Sequence, residues 1–497
     1  TVFNGRVYGV SFRSANEIQV LTGVGVYRMD WRENKVLRHT AAKGRGGIQA
    51  IDGADPVWLF QRENKVWLHR GDDTRGVELG RYQAGAVMER GGRVFAALAF
   101  ENQLAVVGAD GTVRKIGTGI APVGLAVDAG GKIAYAGNWG GRVPRAGDVT
   151  APTGLAPTAD KVVVDARGVA ASGTVSRVDV ESGKVTHTIA VGLHPTALAW
   201  DEARGRLYVA NTNSDSISVI DTKTLTATTV MIDKASRLPG LLPNSVAFRA
   251  DGQRLYVACG GDNAVAVFGR KNGGWELIGK VPTGWFPTAV QVDGQGVLQI
   301  ASVKGIGNDE QAPGMHKSIV FEGILSSVPD PTDAQLHAGA REAQLAARPK
   351  FTPNGGVANL AKLGIEHVFF LIKENRTYDQ VFSDIPKGNR DEKLLMYGRE
   401  VTPNHHALAE KYVLLDNFYS SGAISFEGHQ WLMMGFVSDH TERTLQAAPR
   451  GYAWNMGDSL TVSPAGFFWQ DQRRPLKVRL LGPVSEPAAP GADGLMK

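Results

Sequence analysis

The sequence predicts a multidomain protein in which an all-β propeller precedes part of an α/β domain. Three observations support this prediction. The chain has 497 residues, more than one ordinary hydrophobic core accommodates. Up to about residue 325 it consists of short alternating apolar and polar runs separated by Asp-Gly-type turns, a pattern typical of β-strands. Beyond that point the composition changes to Ala, Gln, Glu and Arg at helical spacing.

A repeat defines the N-terminal part. "HPTALAWDEARGRLYVANTNSDSISVIDTKT" begins at His194, "LPNSVAFRADGQRLYVACGGDNAVAVFGR" at Leu242, "FPTAVQVDGQGVLQIASVKG" at Phe286, and a weaker copy, "APVGLAVDAGGKIAYAGNWGG", at Ala121. The last three copies follow one another at roughly 40–50 residues, the length of a four-stranded propeller blade. The longer first interval predicts either an insertion around "VPRAGDVTAPTGLAP" or a degenerate blade.

The "YVAN" and "YVAC" cores of these repeats, at 208–211 and 256–259, resemble the YVTN family of bacterial β-propellers. The repeats are clearest at 117–306, and residues 1–325 are expected to form about seven blades, although six or eight also fit the length. Cys259, the only cysteine, lies on a predicted blade strand, where we expect a buried and unreactive thiol.

Residues 326–362 are expected to form a helical, proline-containing linker, and residues 363–497 are expected to form a second domain. The run "HVFFLI" at 367–372 is typical of a parallel strand buried on both faces. Glu374 and Asn375 follow it, at the carboxyl end of a strand, where α/β sheets bind ligands. A carboxylate and an amide at this place could bind a divalent cation and a phosphate. The alternative is that Glu374 and Asn375 belong to an ordinary solvated turn.

A second apolar run, "YVLLDNFY" at 412–419, precedes "SSGAISFEGHQW". Helical character from Glu427 onward places Ser425 at a strand-to-helix turn, where backbone N–H groups favour an anion. The alternative for Ser425 is a helix N-cap. His429, one helical turn later, could contact a bound phosphate or could be a packed helix histidine.

The stretches "HVFFLIKENRTYDQVFSD", "TPNHHALAEKYVLLDNFY" and "SFEGHQW" resemble the bacterial phosphoesterase family that includes acid phosphatases and phospholipases C, within the alkaline-phosphatase superfamily. The two resemblances together cover roughly residues 116–482. The resemblance implies that Glu374, Asn375 and Ser425 hold a divalent metal ion (Zn, Ca, Mn or Mg), with Ser425 as nucleophile and His429 beside it. The family's later metal ligands have no counterpart before Lys497, so the domain is expected to be incomplete and to need a complementary C-terminal fragment or partner chain.

These observations predict an exported, periplasmic or extracellular phosphoric-ester hydrolase. The alternative is a non-catalytic propeller that binds or scaffolds and carries a remnant hydrolase segment. Quinone-dependent amine dehydrogenases have similar propellers, but this sequence contains no CxxCH haem motif, which argues against a redox role. The 54 Lys and Arg are interleaved with 49 Asp and Glu, so no basic stripe predicts nucleic-acid binding. No apolar run is long enough for a transmembrane helix.

Overall fold

The computed structural model describes residues 1–41, 50–53, 55–62, 64–73, 75–82, 84–154, 159–234, 239–307, 321–347, 364, 367, 369–373, 375–419, 421–444 and 458–467. The chain divides into two compact units, one containing residues 1–349 and 430–497 and the other residues 350–429. Each unit is described separately below.

The first unit contains seven antiparallel sheets, the blades of a β-propeller. Blade 1 consists of β1 (Val7–Phe12), β2 (Glu17–Thr22), β3 (Gly25–Asp30) and β4 (Lys35–Ala41); blade 2 of β5 (Ile51–Asp52), β6 (Val57–Arg62), β7 (Lys65–Arg70) and β8 (Val77–Arg81); blade 3 of β9 (Val87–Arg90), β10 (Arg93–Leu98), β11 (Gln103–Val107) and β12 (Val113–Gly117).

Blade 4 pairs β13 (Ile120–Val127), β14 (Ile133–Gly141), β17 (Gly173–Asp179) and β18 (Lys184–Val191); blade 5 β19 (Pro195–Asp201), β20 (Arg206–Asn211), β21 (Ser216–Asp221) and β22 (Ala227–Met231); blade 6 β23 (Pro243–Phe248), β24 (Arg254–Cys259), β25 (Ala264–Lys271) and β26 (Gly274–Pro282); blade 7 β27 (Trp285–Val292), β28 (Leu298–Gly305) and β29 (Ile324–Val328). The hairpin β15 (Thr150–Thr153) with β16 (Asp160–Val163) is inserted within blade 4, so the longer repeat interval is an insertion.

The blades close into a ring. The first strands of consecutive blades, β1, β5, β9, β13, β19, β23 and β27, contact one another in turn, and β27 contacts β1 again. Residues 1–5 lie beside β29, where Phe3 N donates to Gly323 O (2.8 Å) and Leu325 N donates to Thr1 O (2.9 Å). The N-terminus therefore supplies the missing fourth strand of blade 7. The predicted propeller of about seven blades is confirmed.

The repeated X-Pro step has a structural reason. Ala121, His194, Leu242 and Phe286, which precede the four repeat prolines, all have φ between 52° and 56°. Pairing shifts by one residue just after each of these prolines, so every repeat begins its inner strand with the same bulge. The X side chains are all buried.

A hydrogen bond links neighbouring blades at this step. The side-chain oxygens of Asn102, Asp215 and Asn263 lie in the turn between the second and third strands of one blade. They accept from the backbone N–H of the X residue of the next blade, at 2.8, 3.1 and 2.9 Å for Ala121, Leu242 and Phe286 respectively. All three acceptors have positive φ, which Asn and Asp tolerate better than most residues. The repeated sequence thus encodes the joint between blades.

Cys259 is buried on β24, as predicted, and burial raises the pKa of its thiol, which keeps it protonated and unreactive. The equivalent residue in blade 5, Asn211, is also buried and donates from Nδ2 to Ser218 Oγ at 2.9 Å. In blade 6 the Cys259 thiol therefore contributes apolar packing where blade 5 has a side-chain hydrogen bond between β20 and β21.

Helix α1 (Asp333–Ala347) packs along β26, the outer strand of blade 6. The approach is close because Gly279 faces it: a Cβ there would lie 2.3 Å from Leu336 O. Arg254 fixes the start of the helix through Asp330 (3.1 Å) and Asp333 (2.9 Å). The helix covers a strand edge that would otherwise be open to pairing.

The second unit, residues 350–429, contains helices α2 (Tyr378–Phe382) and α3 (Pro403–Lys411). Helix α4 (Ser425–Met434) crosses the sequence boundary between the units, and α5 (Asp439–Thr444) follows in the first unit. Of the helices in the described ranges, none is both long and apolar enough to cross a membrane. The domain boundaries at 325 and 363 stay predictions, and β29 ends at Val328.

The predicted strands at 367–372 and 412–419 are wrong for the residues that the structure describes there. Neither run has regular secondary structure, and Phe369, Leu371, Val413 and Phe418 are exposed. A strand requires a paired neighbour, and no strand is found in the described part of 364–429. An alkaline-phosphatase-like sheet is therefore not formed by these residues.

Candidate functional site

One face of the propeller carries the candidate site, which we call the docking face. It is the edge at which inner strands begin and second strands end, two positions that antiparallel pairing brings together. Arg6 precedes β1, His194 precedes β19, and Asn244 lies at the start of β23. Trp139 lies near the end of β14, and Lys304 near the end of β28.

Residues 430–444 and 458–467 form the docked segment, which contacts this face. The segment is held together internally: Ser438 Oγ accepts from Thr441 N (3.3 Å), as an N-cap of α5, and donates to Thr461 O (3.2 Å). Thr441 Oγ1 donates to Gln430 Oε1 at 3.0 Å. The parts before and after 445–457 are therefore connected by hydrogen bonds.

Helix α5 contacts blade 6 through buried polar groups. Asn244 Nδ2 donates to Asp439 Oδ1 (3.2 Å), and Arg443 Nη2 donates to Asn244 O (3.2 Å). Arg443 Nε also pairs with Asp439 Oδ2 at 2.6 Å. Burial raises the pKa of Asp439, although Arg443 and the Asn244 hydrogen bond act in the opposite direction. Of these opposing contacts, Arg443 lies on the same helix as Asp439, whereas the Asn244 hydrogen bond exists only in the docked arrangement.

Glu442 forms the second charged contact. Its carboxylate lies 2.8 and 2.9 Å from Lys304 Nζ, and the two side chains are only 4% and 13% exposed. Arg6 Nη1 donates to Glu442 O at 3.5 Å. Phe436 packs beside this pair against Leu242 and Phe286. A buried ion pair is costly to break from one side, because the remaining charge stays desolvated.

The later part of the docked segment contacts the blade 4 insertion. Asp458 Oδ1 accepts from Thr153 Oγ1 (2.7 Å), and Asp458 Oδ2 accepts from Gly154 N (3.3 Å). Ser459 N donates to Pro152 O at 3.1 Å, and Arg167 Nη1 donates to Pro464 O at 3.1 Å. The insertion therefore serves as a second attachment point beside the ring.

An aromatic group lies between the two attachments. Trp139 is fully buried, and its Nε1 donates to Thr196 Oγ1 at 2.8 Å. Its ring is 5.9 Å from the His194 ring, nearly parallel to it, and 5.0 Å from the His440 ring, edge to face. Burial lowers the pKa of both histidines to about 3, and their mutual repulsion adds to the effect on His194. Both imidazoles are neutral at physiological pH.

The serine predicted as nucleophile, Ser425, is the first residue of α4 and is half-buried. His429 Nδ1 donates to Ser425 O at 2.8 Å, so the imidazole is held by the backbone carbonyl of the serine. Because Nδ1 carries the proton in that bond, Nε2 is the basic nitrogen of the neutral ring. The structure thus places these two residues together, while their catalytic role stays a prediction.

The other predicted ligands are less informative. Asn375 is exposed, and Glu374 lies outside the described residues. Across the described ranges, no three His, Cys, Asp or Glu side chains gather into a cluster that could hold a metal ion. The described residues therefore do not form the predicted metal site by themselves, and no chemical step is derived through a metal.

Comparison with known proteins identifies no family. No family model matches the chain, and no curated protein matches it. Similar solved structures include hydrazine synthase from Kuenenia stuttgartiensis (14% identity, TM-score 0.46, covering 60% of this chain and 93% of that chain). They also include the Cps50 (Swd1) propeller domain of Myceliophteria thermophila (15%, 0.46, 61% and 96%) and virginiamycin B lyase from Staphylococcus aureus with quinupristin (13%, 0.42, 60% and 94%). Such distant likenesses carry no argument about function.

Sequence reasoning missed the docked segment. "SDHTERT" at 438–444 is polar and charged, a composition that ordinarily indicates a solvated helix. One signal was available for His194, because its repeat equivalents Ala121, Leu242 and Phe286 are apolar and therefore predict a buried position. Nothing comparable marks His440 or Glu442.

Proposed function

We propose that the protein is a binding and scaffolding propeller whose docking face holds a polypeptide, here the docked segment of the same chain. The observation that carries this proposal is the set of buried polar contacts between face and segment, above all the Glu442–Lys304 pair. Buried, oriented charges specify one partner and one register better than apolar contact alone, because a wrong partner leaves them unpaired.

A charge exchange tests the proposal. Lys304→Glu in the full chain places two carboxylates together, so we expect amide hydrogen exchange of residues 436–444 to rise about a hundredfold or more, equivalent to about 3 kcal/mol. The strands of the propeller should keep their protection. Adding Glu442→Lys should restore much of the protection at 436–444.

The matched control is Lys271→Glu, which reverses an exposed partner of Glu276 whose side chain is 57% accessible. It should leave exchange at 436–444 unchanged, since exposed ion pairs contribute little. Fast exchange of 436–444 in the wild-type protein, or equal exchange in wild type and Lys304→Glu, would contradict the docking role.

A second candidate function is phosphoric-ester hydrolysis. It is supported by the resemblance of the three stretches at 367–384, 402–419 and 425–431 to phosphoesterases and by the position of Ser425 at the first residue of α4, with His429 bound to its carbonyl. Ser425 Oγ would attack phosphorus and displace the ester's alcohol, which takes up the proton that the serine loses; water would then cleave the phosphoserine, releasing inorganic phosphate and restoring the serine. On this proposal the propeller belongs with YVTN-like propellers and the protein is exported.

Activity of the full chain towards p-nitrophenyl phosphate, with Zn²⁺, Ca²⁺, Mn²⁺ or Mg²⁺ supplied in turn, tests this candidate. Ser425→Ala should reduce turnover by at least about a hundredfold, because alanine has no hydroxyl to attack phosphorus. Ser421→Ala, four residues earlier and exposed, is the control and should retain activity. Equal turnover in the two variants would exclude Ser425 as the nucleophile.

The phosphoesterase proposal also includes a further polypeptide that binds to residues 364–429. Large apolar side chains are exposed there, including Phe369, Leu371, Tyr412, Phe418 and Tyr419. Many large apolar side chains exposed in one short region are typical of a protein–protein contact. This exposure supports the predicted complementary fragment or partner chain.

A further inference from the structure

We propose that His194 and His440 make docking proton-dependent, so that the docked segment leaves the propeller face when these imidazoles become charged. The inference rests on the proposed role of the face in holding this segment. It concerns how the contact is regulated rather than whether it forms.

The geometry places both rings in the contact itself. His440 lies on α5, and His194 lies on the docking face before β19; each is 1% exposed, and both contact the Trp139 ring. Within the described parts of the chain, neither ring nitrogen of His194 has a hydrogen-bond partner. A charged imidazolium at His194 would lose its hydration without gaining an acceptor, so the docked arrangement tolerates only the neutral His194 ring.

The neighbouring charges are already engaged in other contacts. The charged groups of the contact are Asp439, Glu442 and Arg443 from α5, Asp458 from the later part of the docked segment, and Arg6 and Lys304 from the docking face. Asp458 Oδ2 is closest, 4.0 Å from His440 Nε2, but its carboxylate already accepts from Thr153, Gly154 and Leu460. The remaining acidic groups are paired with Lys304 and Arg443.

The direction of the effect follows from proton binding. An undocked His440 is solvated and binds its proton near the ordinary pKa of 6.5, whereas the docked ring stays neutral to about pH 3. Docking is therefore fully favourable above about pH 6.5 and weakens as the pH falls below it. Each histidine contributes up to a tenfold change per pH unit, so the pair contributes up to about a hundredfold.

Asp439 acts in the opposite sense. Its pKa is raised in the docked arrangement, so acid protonates it there before it protonates an undocked carboxyl. In the pH range where docked Asp439 takes up this proton, docking releases one proton on balance instead of two. The expected weakening therefore lies between tenfold and a hundredfold per pH unit.

Hydrogen exchange of the full chain between pH 7.5 and 5.0, corrected for the intrinsic pH dependence of exchange, tests the inference. Exchange of residues 436–444 in the wild type should rise tenfold to a hundredfold per pH unit below about pH 6. The double variant His194→Gln with His440→Gln, which lacks both imidazoles, should show no such rise; where Asp439 takes up its proton, exchange should instead fall by up to about tenfold per pH unit. His187→Gln, an exposed histidine on β18, should behave as the wild type.

Unchanged wild-type protection at pH 5.0, or a wild-type slope in the double variant, would overturn the inference while leaving docking intact. Loss of protection already at pH 7.5 in the wild type would instead remove the proposed docking role. Histidine C2–H exchange in the wild type provides a check that needs no variant: His440 should show no titration near pH 6.5 while the segment is protected. Titration there without segment opening would also overturn the inference.

Discussion

Replacing Trp139 by alanine is expected to lower the free energy of unfolding of the propeller unit by about 3–5 kcal/mol, the usual cost of emptying a large buried site. The side chain is completely buried and packs against Ile120, Val162 and Leu460. Its removal also leaves Thr196 Oγ1 without the indole donor. Urea-induced unfolding of the full chain, followed by circular dichroism, measures the change.

Trp285 provides the control, because its side chain is 56% exposed on β27. Trp285→Ala should change the unfolding free energy by less than about 1 kcal/mol. Similar unfolding midpoints for the Trp139 and Trp285 variants would show that the contact between face and segment is not packed as described.

Substituting Gly173 by alanine should be at least as damaging, by about 3 kcal/mol or more, since the added atom meets backbone rather than a side chain that can move. A Cβ at Gly173 would lie 1.8 Å from Gly192 O. Gly173 opens β17 and pairs with Val191, so relief of the clash separates the two outer strands of blade 4. We expect a strongly lowered urea midpoint or loss of soluble protein.

Gly117, at the end of β12, is the matched control because a Cβ there meets no atom within 4 Å. Gly117→Ala should be neutral or slightly stabilising, within about 1 kcal/mol, because alanine restricts the unfolded chain. If Gly173→Ala unfolds at the same urea concentration as Gly117→Ala, the close approach of β17 to residue 192 is wrong.

The blades could be predicted where the sequence repeats itself. From Ala121 to Gly305 the X-Pro step and the Asp-Gly-type turn recur, the "YVA" strand appears in blades 5 and 6, and each corresponds to a local structure that the propeller needs. Blades 1–3 lack these markers, because the same packing can be achieved with different turns and apolar residues. Blades 1–3 could be predicted only from the length of residues 1–325 and from the alternation of apolar and polar residues.

The second unit shows the opposite outcome. The apolar runs before Glu374 and Asn417 satisfy the pattern of buried strands, but a run of apolar residues does not specify its pairing partner. The docked segment escaped prediction for a related reason. The burial of Asp439, Glu442 and Arg443 is decided by complementary groups far away in sequence, such as Asn244 and Lys304.

The closure of the ring through residues 1–5 has a consequence for the order of folding. The partners of these residues, Phe321 to Leu325, are synthesised only after the strands of all the other blades. Early blades can pair their own strands locally, but the circle stays open until the two ends of a stretch of more than three hundred residues meet. During synthesis residues 1–5 therefore stay unpaired until residues 321–325 become available to cover them.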